Sequence, residues 1–274
     1  MGSDAISCRL CGAQAYFRFS RRARDGDEIK CYECTSCHSL QTQVPYWLDD
    51  EYAAAAAYTY PNLDTSAAER ALRGRIAVCF LWKLCGFSSP EDKLLDWGGG
   101  PGLLVRLLRD VGIDAYNYDK YAKNHFASGF SRSDEHRYSF VTAFEVFEHF
   151  ANPATDLEAI FALQPSFFLI STCIFKNQGP DWSYLGPAKS EHVFFYSERA
   201  LQLIGRRFGY QVFRLPHEIT LFFKSPISTT RLRLANLLLS NDHVAEIAFA
   251  LKRKWSLSEA DNRKIHALIE RMDP

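Results

Sequence analysis

The stretch from Leu94 to Gly102, LLDWGGGPG, is the most informative part of this chain of 274 residues. A short apolar run leads into a cluster of glycines, and a helical apolar pattern begins at Leu103. A buried strand that ends in glycines and runs directly into a helix makes a ligand site at the carboxyl edge of a sheet. The glycines let the backbone approach the ligand, and the helix N-terminus offers unpaired N–H groups. This stretch therefore predicts a ligand-binding turn in an α/β fold.

The chemistry around this turn indicates what the ligand is. The glycine spacing is G-x-G-x-G, at Gly98, Gly100 and Gly102, and the third glycine of a dinucleotide fingerprint is missing because Leu103 stands there. Asp96, just before the turn, would face a cationic group well and a pyrophosphate badly. Asp119 follows Gly102 by 17 residues, at the tip of the next predicted strand, where a carboxylate can accept both ribose hydroxyls. S-adenosyl-L-methionine has an ammonium, a sulfonium and no phosphate, and these residues favour it over NAD or FAD.

Strands and helices alternate on both sides of the turn. Apolar runs predict strands at 94–95, 115–118, 140–143 and 167–172, and an antiparallel pair at 211–215 and 220–223. Capping and glycine signals predict helices at 66–86, at 103–111, after Asn152-Pro153 and at 197–209. This alternation predicts a doubly wound, Rossmann-like sheet with helices on both faces. The remaining residues from 228 onward have the apolar spacing of a helical tail.

Composition excludes several classes of protein. Lys+Arg and Asp+Glu balance at 32 each, so no global field draws in a polyanion, which disfavours nucleic acid as the main partner. No apolar run approaches the ~20 residues of a membrane span, and the N-terminus lacks the apolar core of a signal peptide. We therefore expect a cytoplasmic protein with no membrane association and a small-molecule substrate. In a reducing compartment paired cysteines are metal ligands more often than disulfides.

Five of the eight cysteines lie in the first 37 residues. The pairs Cys8-x-x-Cys11 and Cys34-x-x-Cys37 have the spacing of a Cys₄ zinc ribbon. Four sulfur ligands close the coordination shell, so the predicted role of the Zn²⁺ ion is structural. A module this small gains most of its folding free energy from the metal. Cys31 and His38 are further candidates, and either could replace one of the four ligands.

The stretch from Leu94 to Gly102, Asp119 and the sequence from Phe144 to His149, FEVFEH, together resemble the class I methyltransferase superfamily. The resemblance covers roughly residues 70–225. It implies that the glycine turn holds the methionine end of S-adenosylmethionine and that Asp119 holds the ribose. It also implies that Phe144 and Glu145, which follow the strand predicted at 140–143, line the cofactor near its methionyl group. The Glu148-His149 pair is common in that family's loop after the strand.

The order of the segments along the chain indicates a second resemblance. A cysteine pair, the sequence PYWLDDEY from Pro45 to Tyr52 and then the methyltransferase core resemble bacterial methyltransferases with an N-terminal zinc-binding domain. Some of these enzymes methylate nucleotide-linked sugars, and a Glu-His pair after their fifth strand lies at the substrate. Glu191-His192 matches that pair, which implies catalytic roles for both residues. Since histidine titrates near neutrality, His192 suits the base that removes a proton from the acceptor.

These observations predict a zinc-ribbon module at 1–44, a connector at 45–64, the methyltransferase domain at 65–227 and a helical extension at 228–274. The favoured function is S-adenosylmethionine-dependent methylation of a small molecule, such as a nucleotide-linked sugar or a glycan or natural-product intermediate. One alternative is a zinc-ribbon RNA methyltransferase, for which the arginines at 18, 21, 22 and 24 would supply a basic cluster. Another is a non-catalytic protein that keeps the fold and binds the cofactor.

Overall fold

The computed structural model describes residues 4–23, 25–48, 66–89, 91–224, 226–241 and 256–272. Most of the predicted connector lies outside these ranges, as do Arg24 and the predicted tail positions Val244, Ile247 and Leu251. None of the helices within the described ranges is both long and apolar enough to cross a membrane.

Two sheets and six helices form the described structure. The strands are β1 (Ala5–Ser7), β2 (Gln14–Arg22), β3 (Glu28–Cys34), β4 (Leu40–Thr42), β5 (Leu94–Trp97), β6 (Ala115–Tyr118), β7 (Phe140–Phe144), β8 (Phe167–Ser171), β9 (Phe194–Phe195), β10 (Gln211–Arg214) and β11 (Ile219–Phe223). The helices are α1 (Ser66–Leu84), α2 (Leu103–Arg109), α3 (Pro153–Phe161), α4 (Glu198–Phe208), α5 (Thr229–Leu239) and α6 (Ser258–Met272). Short 3₁₀ turns lie at Phe147–His149 and Ser183–Leu185.

The larger sheet has the order β10-β11-β8-β7-β5-β6. Strands β5, β6, β7 and β8 are parallel, and β11 runs antiparallel to β8. Every residue of β8 and β11 is buried, because layers of helix or loop cover both faces of the sheet. This is the predicted Rossmann-like class, with the antiparallel pair at one edge and β6 at the other. The carboxyl ends of the parallel strands β5, β6 and β7 therefore lie side by side at one edge of the sheet.

The place of a further strand beyond β6 is taken by a loop. A single parallel bridge, between Asn117 and Ser131, is the pairing that the structure has there. Ala127 and Phe130 are buried in this loop rather than extended in a strand. Asp134, whose side chain is 92% exposed, pairs with Arg132. Asp134 therefore points into solvent at this edge of the sheet.

The N-terminal sheet is not confined to the N-terminal segment. Its order is β1-β2-β3-β4-β9, so it takes its last strand from the segment directly after His192. Leu40 pairs with Phe195 and Gln41 with Phe194. The Ser197 hydroxyl donates to the Cys37 carbonyl and accepts from the Ala200 amide, which joins the cysteine-rich segment to the first turn of α4. The sequence analysis anticipated this cap of α4 but not the shared sheet.

A buried ion-pair network attaches α6 to the large sheet. The Arg109 guanidinium donates two hydrogen bonds to Asp261, at 2.9 and 2.8 Å, and a third to Asp114 at 2.6 Å. It also lies over the Phe130 ring, 3.7 Å from its centroid. The side chains of Arg109 and Asp261 are each only 6% exposed. Loss of either partner would leave a buried charge with fewer compensating contacts.

We predict that Asp261→Ala lowers the free energy of unfolding by about 3 kcal/mol, because it removes two hydrogen bonds from a buried guanidinium. Urea denaturation measures the change. Glu259→Ala is the matched control on the same helix, since its pair with Arg263 is exposed and should cost less than about 0.5 kcal/mol. Equal, small losses for both variants would contradict the structural role of the Arg109–Asp261 pair.

Candidate cofactor and acceptor site

Backbone hydrogen bonds hold the glycine turn against the end of β6. The backbone amides of Gly98 and Gly99 donate to the Tyr118 carbonyl at 2.7 and 3.2 Å, and the side-chain amide of Asn117 donates to the Gly100 carbonyl at 3.0 Å. Gly98, Gly100 and Gly102 have φ of 71°, 54° and 86°, a region that favours glycine. The turn therefore needs glycine at the three positions that the sequence pattern identified.

A different constraint applies to Gly99. A Cβ atom on this residue would lie 2.1 Å from the Asn117 Oδ1 atom and 2.5 Å from the Asp96 Oδ2 atom. Asp96 is itself buried, only 3% exposed, and its Oδ1 accepts from the Thr142 hydroxyl at 2.6 Å. Burial, opposed by that hydrogen bond, raises the pKa of Asp96 to about 7. The carboxylate thus lies directly behind the turn, packed against its backbone.

The Asp119 carboxylate connects the turn to the following loop. Its Oδ2 accepts from the Gly100 amide at 2.9 Å, and its Oδ1 accepts from the amides of Tyr121 and Ala122 at 2.8 and 2.7 Å. A carboxylate has about four lone-pair sites, so these three contacts fix its orientation and leave capacity for a ligand hydroxyl. Asp119 also borders the large cavity described next.

A cavity of about 1040 Å³ opens at the carboxyl edge of the sheet. Three sets of residues line it: the end of β5 and β6, the loop after β7, and the N-terminal segment around Arg9 and 44–48. Charged groups of both signs face it, including Lys120, Arg132, Asp119, Glu145 and Glu191. The cavity lies where the parallel strands end, and open α/β sheets bind their ligands at this position.

Acidic and imidazole side chains cluster at one wall of this cavity. The His149 Nδ1 atom lies 3.5 Å from a Glu191 carboxylate oxygen, and its Nε2 lies 3.9 Å from the Glu148 Oε1 atom. Burial and the neighbouring His192 lower the pKa of His149 to about 3, so its imidazole is neutral. Burial, reinforced by the Glu145 carboxylate, raises the pKa of Glu148 to about 8. The wall therefore combines the neutral ring of His149 with carboxyl groups close to it.

The His192 ring lies behind His149 rather than on the cavity surface. The two ring centroids are 5.0 Å apart in an edge-to-face arrangement. The Nδ1 atom of His192 lies 2.6 Å from the Tyr184 carbonyl, which can only accept, so Nδ1 carries the proton and Nε2 keeps a lone pair. The Tyr184 hydroxyl in turn donates to the Glu145 Oε2 atom at 3.2 Å.

The predicted site residues divide into two groups. Gly98, Asp119, Glu145 and Glu191 border the cavity. The others lie next to the cavity without lining it: Asp96, Gly100, Gly102, Phe144 and His192. The Phe144 ring packs on α1, since a Cβ atom on Gly74 would lie 2.9 Å from its Cε2 atom. The roles of all these residues toward a ligand stay predictions.

Several residues of this wall have no sequence pattern that predicts their place in it. Glu148 and His149 belong to a motif common in the family, and Arg9 belongs to no motif. Arg9 donates to the Ala151 carbonyl at 2.8 Å and to the Val193 carbonyl at 2.6 Å, which ties the first cysteine pair to both loops of the wall. No local pattern in the sequence signals a contact between residues so far apart in the chain.

The four predicted zinc ligands converge. The sulfurs of Cys8 and Cys37 are 3.7 Å apart and those of Cys11 and Cys34 are 3.5 Å apart. Two sulfurs bound at about 2.3 Å to one tetrahedral ion would be roughly 3.8 Å apart, so these separations suit zinc. Cys31 is not in this group: it is buried in an apolar cluster with Leu40 and Phe195. The exposed His38 is not in it either.

Comparisons with known proteins agree with this geometry. Residues 51–215, well over half of the chain, match the family model of a methyltransferase domain. The chain belongs to this methyltransferase family. A search among curated proteins gives no match.

Solved structures are similar to the chain at low sequence identity. The 1,6-didemethyltoxoflavin N1-methyltransferase of Burkholderia thailandensis, with bound S-adenosylhomocysteine, has a TM-score of 0.50 and 16% identity over 76% of this chain and 100% of that one. The plantazolicin methyltransferase has a TM-score of 0.48 and 14% identity, covering 74% and 87%. The magnesium protoporphyrin IX methyltransferase of Synechocystis PCC 6803 has a TM-score of 0.44 and 12% identity, covering 65% and 97%. Family and fold are those of a class I S-adenosylmethionine-dependent methyltransferase, as the sequence predicted.

We predict that Gly99→Ala weakens S-adenosylhomocysteine binding at least tenfold, because the new methyl group would displace Asp96 and Asn117 from behind the turn. Isothermal titration calorimetry measures the affinity, and circular dichroism checks the fold. Gly179→Ala is the control, since a Cβ atom there meets nothing within 4 Å. Unchanged affinity in a folded Gly99→Ala protein would contradict the assignment of this turn to the cofactor.

Proposed function

We propose that this protein transfers a methyl group from S-adenosylmethionine to a small-molecule acceptor, with a nucleotide-linked sugar or a glycan or natural-product intermediate favoured. The observation that carries the proposal is the shared cavity. The glycine turn and Asp119 lie on one side of it, and Glu145, His149 and Glu191 on the other. A site that binds a donor beside a wall of acid and imidazole groups suits methylation of a nucleophile that must lose a proton.

The residues present fit this cofactor. The glycine cradle leaves open space at Gly100, where a Cβ atom would meet nothing within 4 Å. Asp119 would accept from the ribose, and Glu145 would face the cationic methionyl end. When bound, S-adenosylmethionine supplies a methyl group on a sulfonium, and a neutral thioether leaves. The chain's own contribution is to hold the acceptor in line and exclude competing geometries.

We further propose that Glu191 and His192 serve the acceptor. Glu191 borders the cavity, and His192 supports the same wall through His149. The Nδ1 atom of His192 is engaged with the Tyr184 carbonyl, so its Nε2 atom would take the acceptor's proton by way of His149, whose ring lies between His192 and the cavity. This proton leaves as the acceptor atom bonds to the methyl carbon, so charge balances.

The structure gives less support to an RNA substrate. Two arginines of the basic cluster make contacts inside the protein: Arg18 pairs with Glu33 at 3.5 Å, and Arg21 donates to the Leu185 carbonyl at 3.2 Å. Groups engaged in this way offer less charge to phosphates.

We also propose the division of the chain at residues 44, 64 and 227. One strand crosses these boundaries, because β9 belongs to the sheet of the first segment.

We predict that His192→Ala lowers turnover about 100-fold or more, the size expected for loss of a general base. The measurement is transfer of radiolabelled methyl from S-adenosylmethionine to a panel of sugar nucleotides. His266→Ala, an exposed histidine on α6, is the control and should keep wild-type turnover. Full turnover of His192→Ala on an accepted substrate would rule out its role, and absence of transfer to any small molecule by the wild type would count against the acceptor class.

We also propose that Cys8, Cys11, Cys34 and Cys37 bind one structural Zn²⁺ ion. Cys34→Ser should release one zinc ion per chain and lower the melting temperature, because removal of one sulfur opens the tetrahedral shell. Plasma mass spectrometry gives the metal content. Cys31→Ser is the matched control on the same strand and should keep the ion. Equal zinc content in both variants would contradict this ligand set.

A further inference from the structure

A second group of side chains that can bind a metal lies away from the four cysteines, at the cavity wall formed by Glu145, Glu148, His149 and Glu191, which we call the acceptor wall. Glu148, His149 and His192 each offer a ligand atom, and these three atoms all lie within 4.8 Å of one another. Two imidazoles and one carboxylate are a donor set that suits divalent transition metals.

The Glu148 carboxyl group supplies an independent sign that something is bound here. Its side chain is fully buried, and neither of its oxygens has a partner with good hydrogen-bond geometry among the described residues, although the Tyr184 and Thr172 hydroxyls are close enough to lower the pKa of this carboxyl against the larger effect of burial. A buried carboxyl group without partners costs free energy, so such groups in native proteins are usually paired or hold a metal. Its Oε1 atom points toward the imidazole of His149, at 3.9 Å from Nε2.

Both imidazoles are oriented as metal ligands are in known sites. A ligating histidine usually donates its other ring N–H to a carbonyl or carboxylate. The Nδ1 atom of His192 lies 2.6 Å from the Tyr184 carbonyl, and the Nδ1 atom of His149 lies 3.5 Å from a Glu191 carboxylate oxygen. Each ring thus directs its Nε2 lone pair away from these partners.

The charges of the wall are consistent with a cation. Glu145, Glu148 and Glu191 surround the two rings, and the Glu145 carboxylate is held nearby by Ser171 and Tyr184 hydroxyls at 2.6 and 3.2 Å. Carboxyl groups brought together in a half-buried pocket are stabilised either by keeping a proton, as the raised pKa of Glu148 allows, or by binding a cation.

We propose that Glu148, His149 and His192 bind one divalent transition-metal ion at the acceptor end of the cavity. Three protein ligands leave coordination positions open. His149 borders the cavity, so these positions can accept an oxygen of the acceptor. The ion lowers the pKa of a hydroxyl bound to it. The O–H bond then breaks and its proton passes to water in the cavity; the oxygen bonds to the methyl carbon as the bond from that carbon to the sulfonium sulfur breaks, and the neutral thioether leaves. This role rests on the proposed function, and in it His192 holds the ion instead of taking the proton; binding of the ion does not depend on methyl transfer.

The test is a titration of the full chain with Co²⁺ after its cysteine site has been loaded with Zn²⁺. We expect one Co²⁺ ion per chain, with weak visible bands and without the intense near-ultraviolet bands of cobalt bound to thiolate. Glu148→Gln and His192→Ala should each weaken this binding more than about tenfold, while Glu135→Gln, an exposed glutamate, should bind as the wild type does.

S-adenosylhomocysteine affinity and circular dichroism are measured on the same variants, so that a lost ion site is distinguished from a lost fold or cofactor site. If Glu148→Gln does not fold, the partly exposed His192→Ala carries the test. The proposal is overturned if the zinc-loaded wild type binds no Co²⁺, if the bound Co²⁺ has thiolate bands, or if folded Glu148→Gln or His192→Ala binds it as tightly as the wild type. Loss of methyl transfer alone, with Co²⁺ binding intact, would instead count against the proposed function.

Discussion

The hydrogen bonding of β4 to β9 is the interaction on which the rest of the site depends. It places the segment directly after Glu191-His192 at the edge of the cysteine-rich sheet, with Leu40 opposite Phe195. Arg9 reinforces the junction, since its guanidinium donates to carbonyls on both loops of the acceptor wall. The Thr42 amide extends this pairing by donating to the Val193 carbonyl at 3.0 Å.

This dependence links the cysteine cluster to the wall of acidic and imidazole side chains. The Ser197 hydroxyl, which begins α4, donates to the Cys37 carbonyl, and Cys37 is one of the four converging sulfurs. An ion bound to those sulfurs would stabilise the knuckle that positions Arg9 and Ser197. A structural metal would thus act on the acceptor site through the backbone of β4, β9 and the first turn of α4, without itself touching a ligand.

The opposite side of the cavity, at the glycine turn, is built mainly from backbone groups. These are amides of the turn, the Tyr118 carbonyl and the amides that fix Asp119. The acceptor side is made of side chains on loops, with ionisable groups stacked against one another. A backbone cradle changes little with sequence, because only the glycine positions are constrained, whereas a wall of side chains can be adapted to a particular acceptor.

The sequence by itself determined the parallel sheet and the glycine turn and identified the two Cys-x-x-Cys pairs, because each depends on residues close together in the chain. Strand periodicity, the positive φ of Gly98, Gly100 and Gly102, and the Cys-x-x-Cys spacing are local constraints. Only the tertiary structure decided that Cys31 is outside the sulfur cluster, that Asp96 lies behind the turn, and that Glu148, His149 and His192 come together. These outcomes depend on pairings between distant segments, whose geometry is set by the packing of the whole fold and has no local signature in the sequence.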